Sequence, residues 1–183
     1  MELVRAFVNS LDLEHGIDEF ATEESLGRWL SSCGLIDVEC PVAPSERDLA
    51  VRVREALRQL SEGSLRDPRA LNDAARSADT TLEFGLDATP TLRSDKAGVT
   101  GAVGTILVIT ATAAMNGTWR RMKVCSAEDC RWMFYDHSKN RSGTWCQMAE
   151  CGNRAKARAF RSRSSAHAAS VSGTARSRAR QTV

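Results

Sequence analysis

Four of the six cysteines fall in two equally spaced pairs, Cys125-Ser-Ala-Glu-Asp-Cys130 and Cys146-Gln-Met-Ala-Glu-Cys151, separated by a fifteen-residue insert. Two C-x4-C pairs offer four thiolates, and tetrahedral zinc takes four such ligands when two tight turns bring them together. Two disulfides, or four unrelated thiols, are the alternatives. The start of the chain, Met1-Glu-Leu-Val-Arg, lacks the basic n-region and apolar stretch of a signal peptide. A cytoplasmic, reducing compartment is therefore expected, in which disulfides do not persist. A site closed by four sulfurs leaves no open coordination position, so the metal would hold structure and would not activate water. A segment this short would depend on zinc to fold, and loss of one cysteine is expected to unfold it while sparing the rest of the chain. Cys33 and Cys40 fit no such pairing and are expected to be ordinary buried or free thiols.

Between and after the pairs stand Trp132-Met-Phe134-Tyr-Asp136-His-Ser138-Lys-Asn140, Trp145-Cys146-Gln-Met148 and Cys151-Gly152-Asn153-Arg154-Ala-Lys156. This run resembles the CGNR zinc finger, a family named for the four residues at 151 to 154. Where members usually carry basic residues before the tryptophan, this chain has Gly143-Thr144. Phe7-Val-Asn-Ser-Leu11 is similar to the Phe-Val-Asn-Thr-Leu opening of the ABATE domain, the usual N-terminal companion of that finger. The resemblance implies a bacterial protein with a predicted role in regulating transcription.

Other chemistry finds little support. His137 could suggest the histidine-and-metal nucleases that share treble-clef folds, which need a second histidine or asparagine on the following helix, and here that helix offers Asn153 but no histidine. Asp136, Ser138 and Asn140 are better explained as closing a turn through side-chain hydrogen bonds. No Ser/His/Asp set, phosphate loop or open metal site is evident, so no catalytic residue and no small-molecule substrate is assigned, and the chain is not expected to be an enzyme.

The overall charge of +2 hides a split. Residues 119–183 hold fourteen Lys/Arg against four acids, a net of +10, and the preceding 118 residues carry a net of −8. An acidic folded unit joined to a basic arm suggests a polyanion partner. After Glu150 come eight basic residues and no acid. Arg154, Lys156, Arg158, Arg161 and Arg163 lie on one predicted helix and are candidate nucleic-acid contacts, with DNA favoured over RNA. Arg131, Arg154 and Lys156 could instead offset the −2 charge of a tetrathiolate zinc site. Trp132, Phe134 and Tyr135 could stack on unpaired bases, or form the core of the small module. A protein-interaction adaptor, in which zinc only stabilises a docking surface, is the alternative function.

The elements that must position this region follow from pattern. Leu3, Val4, Phe7, Val8 and Leu11 recur at helical spacing over residues 1–13. Thr22 caps a second helix that Gly34 stops. Ser45, with Asp48 at the capping-box position, starts a long helix with an apolar stripe of Leu49, Val53, Ala56, Leu57 and Leu60. Its arginines 47, 52, 54 and 58 could touch phosphate, but read better as a solvated face or as ion-pair partners for local acids. Asp67-Pro68 begins a short helix, and residues 80–86 and 91–93, joined by a turn over 87–90, alternate as a hairpin. Residues 97–118 carry no charge, but glycines and threonines dilute them, so a buried core helix is expected in preference to a membrane span. Strands over 120–124 and 131–135 should flank the first cysteine turn, with a helix from Cys151.

The expected architecture is α+β: a mainly helical N-terminal domain with a β-hairpin over residues 1–118, then a small treble-clef-like zinc finger over 119–163. Residues 164–183 are too poor in apolar side chains to pack and are expected to form a disordered basic tail. The chain could also form a homo-oligomer, and no membrane partner is expected.

Overall fold

The computed structural model describes residues 1–87 and 89–164. The expected tail falls outside the described residues except for Ser164, which is helical.

Helix α1 (Glu2–Val8) buries Val4, Phe7 and Val8. It is shorter than its apolar spacing predicts, because the Ser10 hydroxyl donates to the Phe7 carbonyl at 2.8 Å and the chain then turns into a hairpin of β1 (Leu11–Asp12) and β2 (Ile17–Asp18). In that turn the Asp12 carboxylate accepts from the amides of Glu14 and His15, and Gly16 takes a left-handed φ of 67°. Helix α2 (Glu23–Ser32) is capped by Thr22, whose hydroxyl accepts from the Ser25 amide at 3.1 Å, and Gly34 at φ 68° turns the chain away at its end.

Helix α3 (Pro44–Glu62) begins one residue before the expected cap. Pro44 lacks the amide hydrogen that a first-turn residue leaves unused, and the Glu46 carboxylate accepts from the Ala43 amide at 3.0 Å. Ser45 and Asp48 are thus helical residues and not the cap. The predicted stripe holds: Val53 and Leu57 are fully buried, and Leu49 and Leu60 pack at its margin. Helix α4 (Arg69–Ser77) follows Pro68, and β3 (Thr80–Phe84) pairs antiparallel with β4 (Pro90–Ser94), from Thr80 opposite Ser94 to Phe84 opposite Pro90.

Helix α5 (Gly98–Met115) is long and apolar enough to cross a membrane by length and composition, but half of it is buried inside the protein. Val99, Val103 and Ile106 enter the main core. Gly104 permits close approach to two neighbours: a Cβ there would lie 2.6 Å from that of Ala78 and 2.3 Å from the Ser94 hydroxyl.

A tight 3-10 turn (Thr118–Arg121) then replaces the start of the expected strand, leaving β5 as Met122–Val124. Gly117 at φ 78° sets its entry, and the Arg121 guanidinium holds the carbonyls of Asp136 and Ser138 at 2.9 and 3.1 Å. Strand β6 (Met133–Tyr135) pairs with β5, Val124 opposite Met133. It begins two residues later than expected, since Arg131 at φ 53° belongs to the preceding turn.

The two halves share one core. Met122 and Met133, from the cysteine-bearing region, are buried in the same cluster as Val4, Phe7, Leu57 and Ile106. Two of the arginines expected on a solvated or ion-paired face stitch this core together from inside. Arg54 is 2% exposed, pairs with Asp18 at 2.6 Å and lies 5.0 Å from the Phe20 ring centre. Arg58 is 1% exposed and donates to the carbonyls of Val8 at 2.7 Å and Arg131 at 2.6 Å. Both also pair with Glu55, so the ion-pair reading is right for them and the solvated reading is not. The N-terminal helices and the finger thus pack against each other through one buried cluster.

Candidate metal centre

The first sulfur pair is delivered by the turn between β5 and β6. The Cys125 amide donates to the Trp132 carbonyl at 2.8 Å, and the amides of Cys130 and Arg131 both donate to the Ala127 carbonyl at 3.0 Å. This folds the intervening residues so that both thiols point the same way. Of the second pair, Cys146 stands two residues before a wide π turn (Met148–Gly152) and Cys151 lies within it, and the turn leads into helical residues 153–164. The helix thus opens at Met148, slightly before Cys151. Gly152 lets the Met148 side chain lie close over this turn: a Cβ would meet its sulfur at 2.2 Å and Trp145 at 3.3 Å.

All four sulfurs lie within 4.8 Å of one another. Cys146 stands 3.6 Å from both Cys130 and Cys151. Zinc–sulfur bonds of about 2.3 Å at tetrahedral angles require sulfur separations near 3.8 Å, so the cluster is already at nearly the right size for one zinc ion. Cys125, Cys130 and Cys151 are buried, and Cys146 is partly exposed. Burial pushes the Cys130 thiol up to about 11. Burial also raises Cys146, reinforced by its contacts with Cys130 and Cys151. At Cys125 burial is outweighed by the amides of Ala127 and Cys146, and the thiol shifts down. A divalent cation is what lets four such close sulfurs ionise together, and its binding releases protons.

The surrounding shell is built from charge and backbone. Asp136 is 3% exposed and accepts from the amides of Ser138 at 2.9 Å and Gly143 at 2.8 Å, with the Lys123 ammonium 2.8 Å away. The Lys123 ammonium and the Ser138 contacts hold this carboxyl well below the usual carboxylate range. Gly143 has no alternative here, because a Cβ would sit 2.8 Å from the Asp136 carboxylate. The next residue, Thr144, accepts from the Ser126 amide at 3.1 Å, which ties this loop to the first cysteine turn.

Arg154 reaches back over the metal site. One of its nitrogens lies 3.3 Å from the Cys151 sulfur, and its guanidinium pairs with Glu14 in the β1–β2 turn. Arg131 instead pairs with Glu62 at 2.7 Å, and Lys156 is exposed, so of the three cations expected to offset the zinc charge Arg154 is the one that touches sulfur. Arg158 lies 3.5 Å from Asp129, and residues 156–164 are exposed throughout, including Arg161 and Arg163. The His137 ring lies tilted against Tyr135, with ring centres 4.8 Å apart, and belongs to no metal-binding group among the described residues. Cys33 and Cys40 are half-buried free thiols.

Sequence reasoning missed Glu14, Asn9 and Arg58 as supports of this site. No local signal marks them, since their partners stand between 50 and 140 positions away.

A family model described as the CGNR zinc finger matches residues 121–164, and one for ABATE, described as "Putative stress-induced transcription regulator", matches residues 2–116. No curated protein matches the chain.

Proposed function

The chain belongs to the ABATE family and carries a zinc-binding CGNR finger at its C-terminal side, and from that premise we propose that it regulates transcription by binding nucleic acid, DNA in preference to RNA. In this reading the chain acts in the cytoplasm. Residues 1–118 and 119–163 are its two working parts, joined through the shared core. Zinc is held by Cys125, Cys130, Cys146 and Cys151. It supplies a structural fastening, and neither matching family is described as an enzyme.

The observation that carries the reading is the helix that leaves the metal site. Its exposed residues 156–164 include Lys156, Arg158, Arg161 and Arg163 and no acid. A helix of about twelve residues spans roughly 18 Å and fits a major groove or lies along a phosphate backbone. Arg154 at its base holds the helix to Glu14 and Cys151, which fixes how the basic residues are presented. Of the three aromatics that could stack on RNA bases, Tyr135 packs against the core and Phe134 is half-buried, which leaves Trp132 as the exposed ring and favours the basic helix as the contact surface.

The test is fluorescence anisotropy of labelled random duplex DNA and matched RNA, titrated with zinc-loaded full-length protein and with a variant carrying Lys156, Arg158, Arg161 and Arg163 as Ala. Binding should weaken with salt, with a log–log slope of roughly −3.5 if all four contact phosphates. The variant should lose most of that slope. No binding to either nucleic acid at low salt would overturn the reading in favour of an adaptor that docks an acidic protein.

A further inference from the structure

A cavity of about 400 Å³ opens where the N-terminal helices meet the finger, lined by Trp29, Trp132, Ile17, Arg5, Asp12 and Glu19. The two indoles come from distant parts of the chain and both are held firmly. Trp29 stands edge-on to Phe7 and Phe20, with ring centres 5.9 and 5.3 Å away. Trp132 is 37% exposed, but its backbone is pinned on both sides: Arg58 holds the Arg131 carbonyl, and Asn9 holds both polar groups of Met133.

The charges around these rings are unequal in their commitments. Arg5 is paired with Glu2. Asp12 is occupied by the Glu14 and His15 amides and by the His15 ring. The Glu19 carboxylate, by contrast, makes no hydrogen bond or ion pair among the described residues, and only its backbone amide is engaged, with Ser10. The uncommitted charge is therefore negative and shares the cavity with two tryptophans. An anionic ligand would have to take Arg5 from Glu2 and sit beside two carboxylates. A cation meets a free carboxylate and the side chains with the strongest cation–π attraction.

We propose that this cavity binds an organic cation of the alkyl- or quaternary-ammonium class. Such a ligand touches α1, the β1–β2 hairpin, α2 and the turn that precedes β6, so its binding adds to the docking of the finger on the N-terminal helices. The site stands apart from the basic helix and does not depend on nucleic-acid binding.

Choline is a suitable probe, and 3,3-dimethylbutan-1-ol is its uncharged isostere. Zinc-loaded full-length protein labelled with nitrogen-15 at tryptophan gives four indole resonances, of which Trp119 and Trp145 are internal references. Choline is expected to shift Trp29 and Trp132 saturably and leave the references in place, and Glu19→Gln should weaken binding about tenfold. Trp132→Leu should remove the Trp29 shift. Shifts that never saturate, that the neutral isostere reproduces, or that persist unchanged in both variants would overturn the proposal. The Glu19→Gln protein should keep its reference resonances, because among the described residues the carboxylate it replaces bonds to no side chain or backbone group.

Discussion

Asn9 clamps the backbone of Met133 with two hydrogen bonds: the Met133 amide donates to its side-chain oxygen at 2.7 Å, and its side-chain nitrogen donates to the Met133 carbonyl at 2.9 Å. This is the pair of bonds that an antiparallel strand residue would offer, supplied by one side chain at the end of α1. It completes a backbone position that is only 1% exposed, where water could not substitute.

Asn9→Ala should therefore destabilise the chain by about 1–3 kcal/mol for each buried group left unpaired. Urea unfolding followed by circular dichroism reads this directly. A midpoint equal to that of the unmodified protein would show that the clamp contributes nothing.

The cysteine site was legible because its ligands are local: each pair spans one turn, and spacing alone constrains the geometry. Thr22 was legible for the same reason, since its capping partner is three residues away. Ser45 misled, because Pro44 sets the helix start through its own fixed φ and missing hydrogen, and Glu46 completes the cap. Arg58 was legible only in part, as an ion-pair partner of Glu55. On a helix wheel it stands with other arginines, yet its guanidinium is buried against carbonyls at positions 8 and 131. Nothing within a window of sequence distinguishes such an arginine from a solvated one; only the packing of α1 and the finger does.

Zinc removal should be felt far from the cysteines. Because Met122 and Met133 lie in the main core, stripping the metal with EDTA should raise amide exchange in α1 and α3 by about tenfold or more, alongside residues 122–152. Hydrogen-exchange mass spectrometry separates these regions. Unchanged exchange in α1 and α3 with free exchange in the finger would mean that the two parts fold independently.

The Asp18–Arg54 pair sets an acid limit. Burial would raise the Asp18 carboxyl, but the Arg54 hydrogen bond and charge outweigh it and the net shift is downward. A carboxyl lowered in the folded state stabilises the protein above its unfolded value of about 3.9 and loses that contribution as pH falls through the folded value. Stability should thus decline as pH drops below about 4, and Asp18→Asn should remove this part of the decline. At neutral pH the same variant should cost about 2–4 kcal/mol, because it leaves a buried guanidinium short of a partner. Thermal unfolding between pH 3 and 7 tests both statements.

Gly143 should tolerate no side chain. Gly143→Ala pushes a methyl into the Asp136 carboxylate and displaces the loop that holds the Ser126 amide through Thr144. Zinc affinity, measured by competition with a chromogenic chelator, should fall about tenfold, the usual scale for an outer-shell change. Full affinity would show that the loop and the cysteine turn move independently.

Arg154 offers a choice between two roles that one pair of measurements separates. Its guanidinium is shared between Glu14 and the Cys151 sulfur, so it is engaged inside the protein before any nucleic acid arrives. If it braces the metal site, Arg154→Ala should lower zinc affinity about 10- to 100-fold. Arg154→Lys should not restore it, since a single ammonium cannot reach a carboxylate and a sulfur with the planar fork that arginine provides. Glu14→Gln should produce a weaker version of the same loss by loosening the guanidinium. If Arg154 instead contacts phosphate, the zinc affinity of Arg154→Ala would be normal and the salt slope of nucleic-acid binding would fall by about one. The expected result is the first pattern, with the salt slope retained in protein kept saturated with zinc.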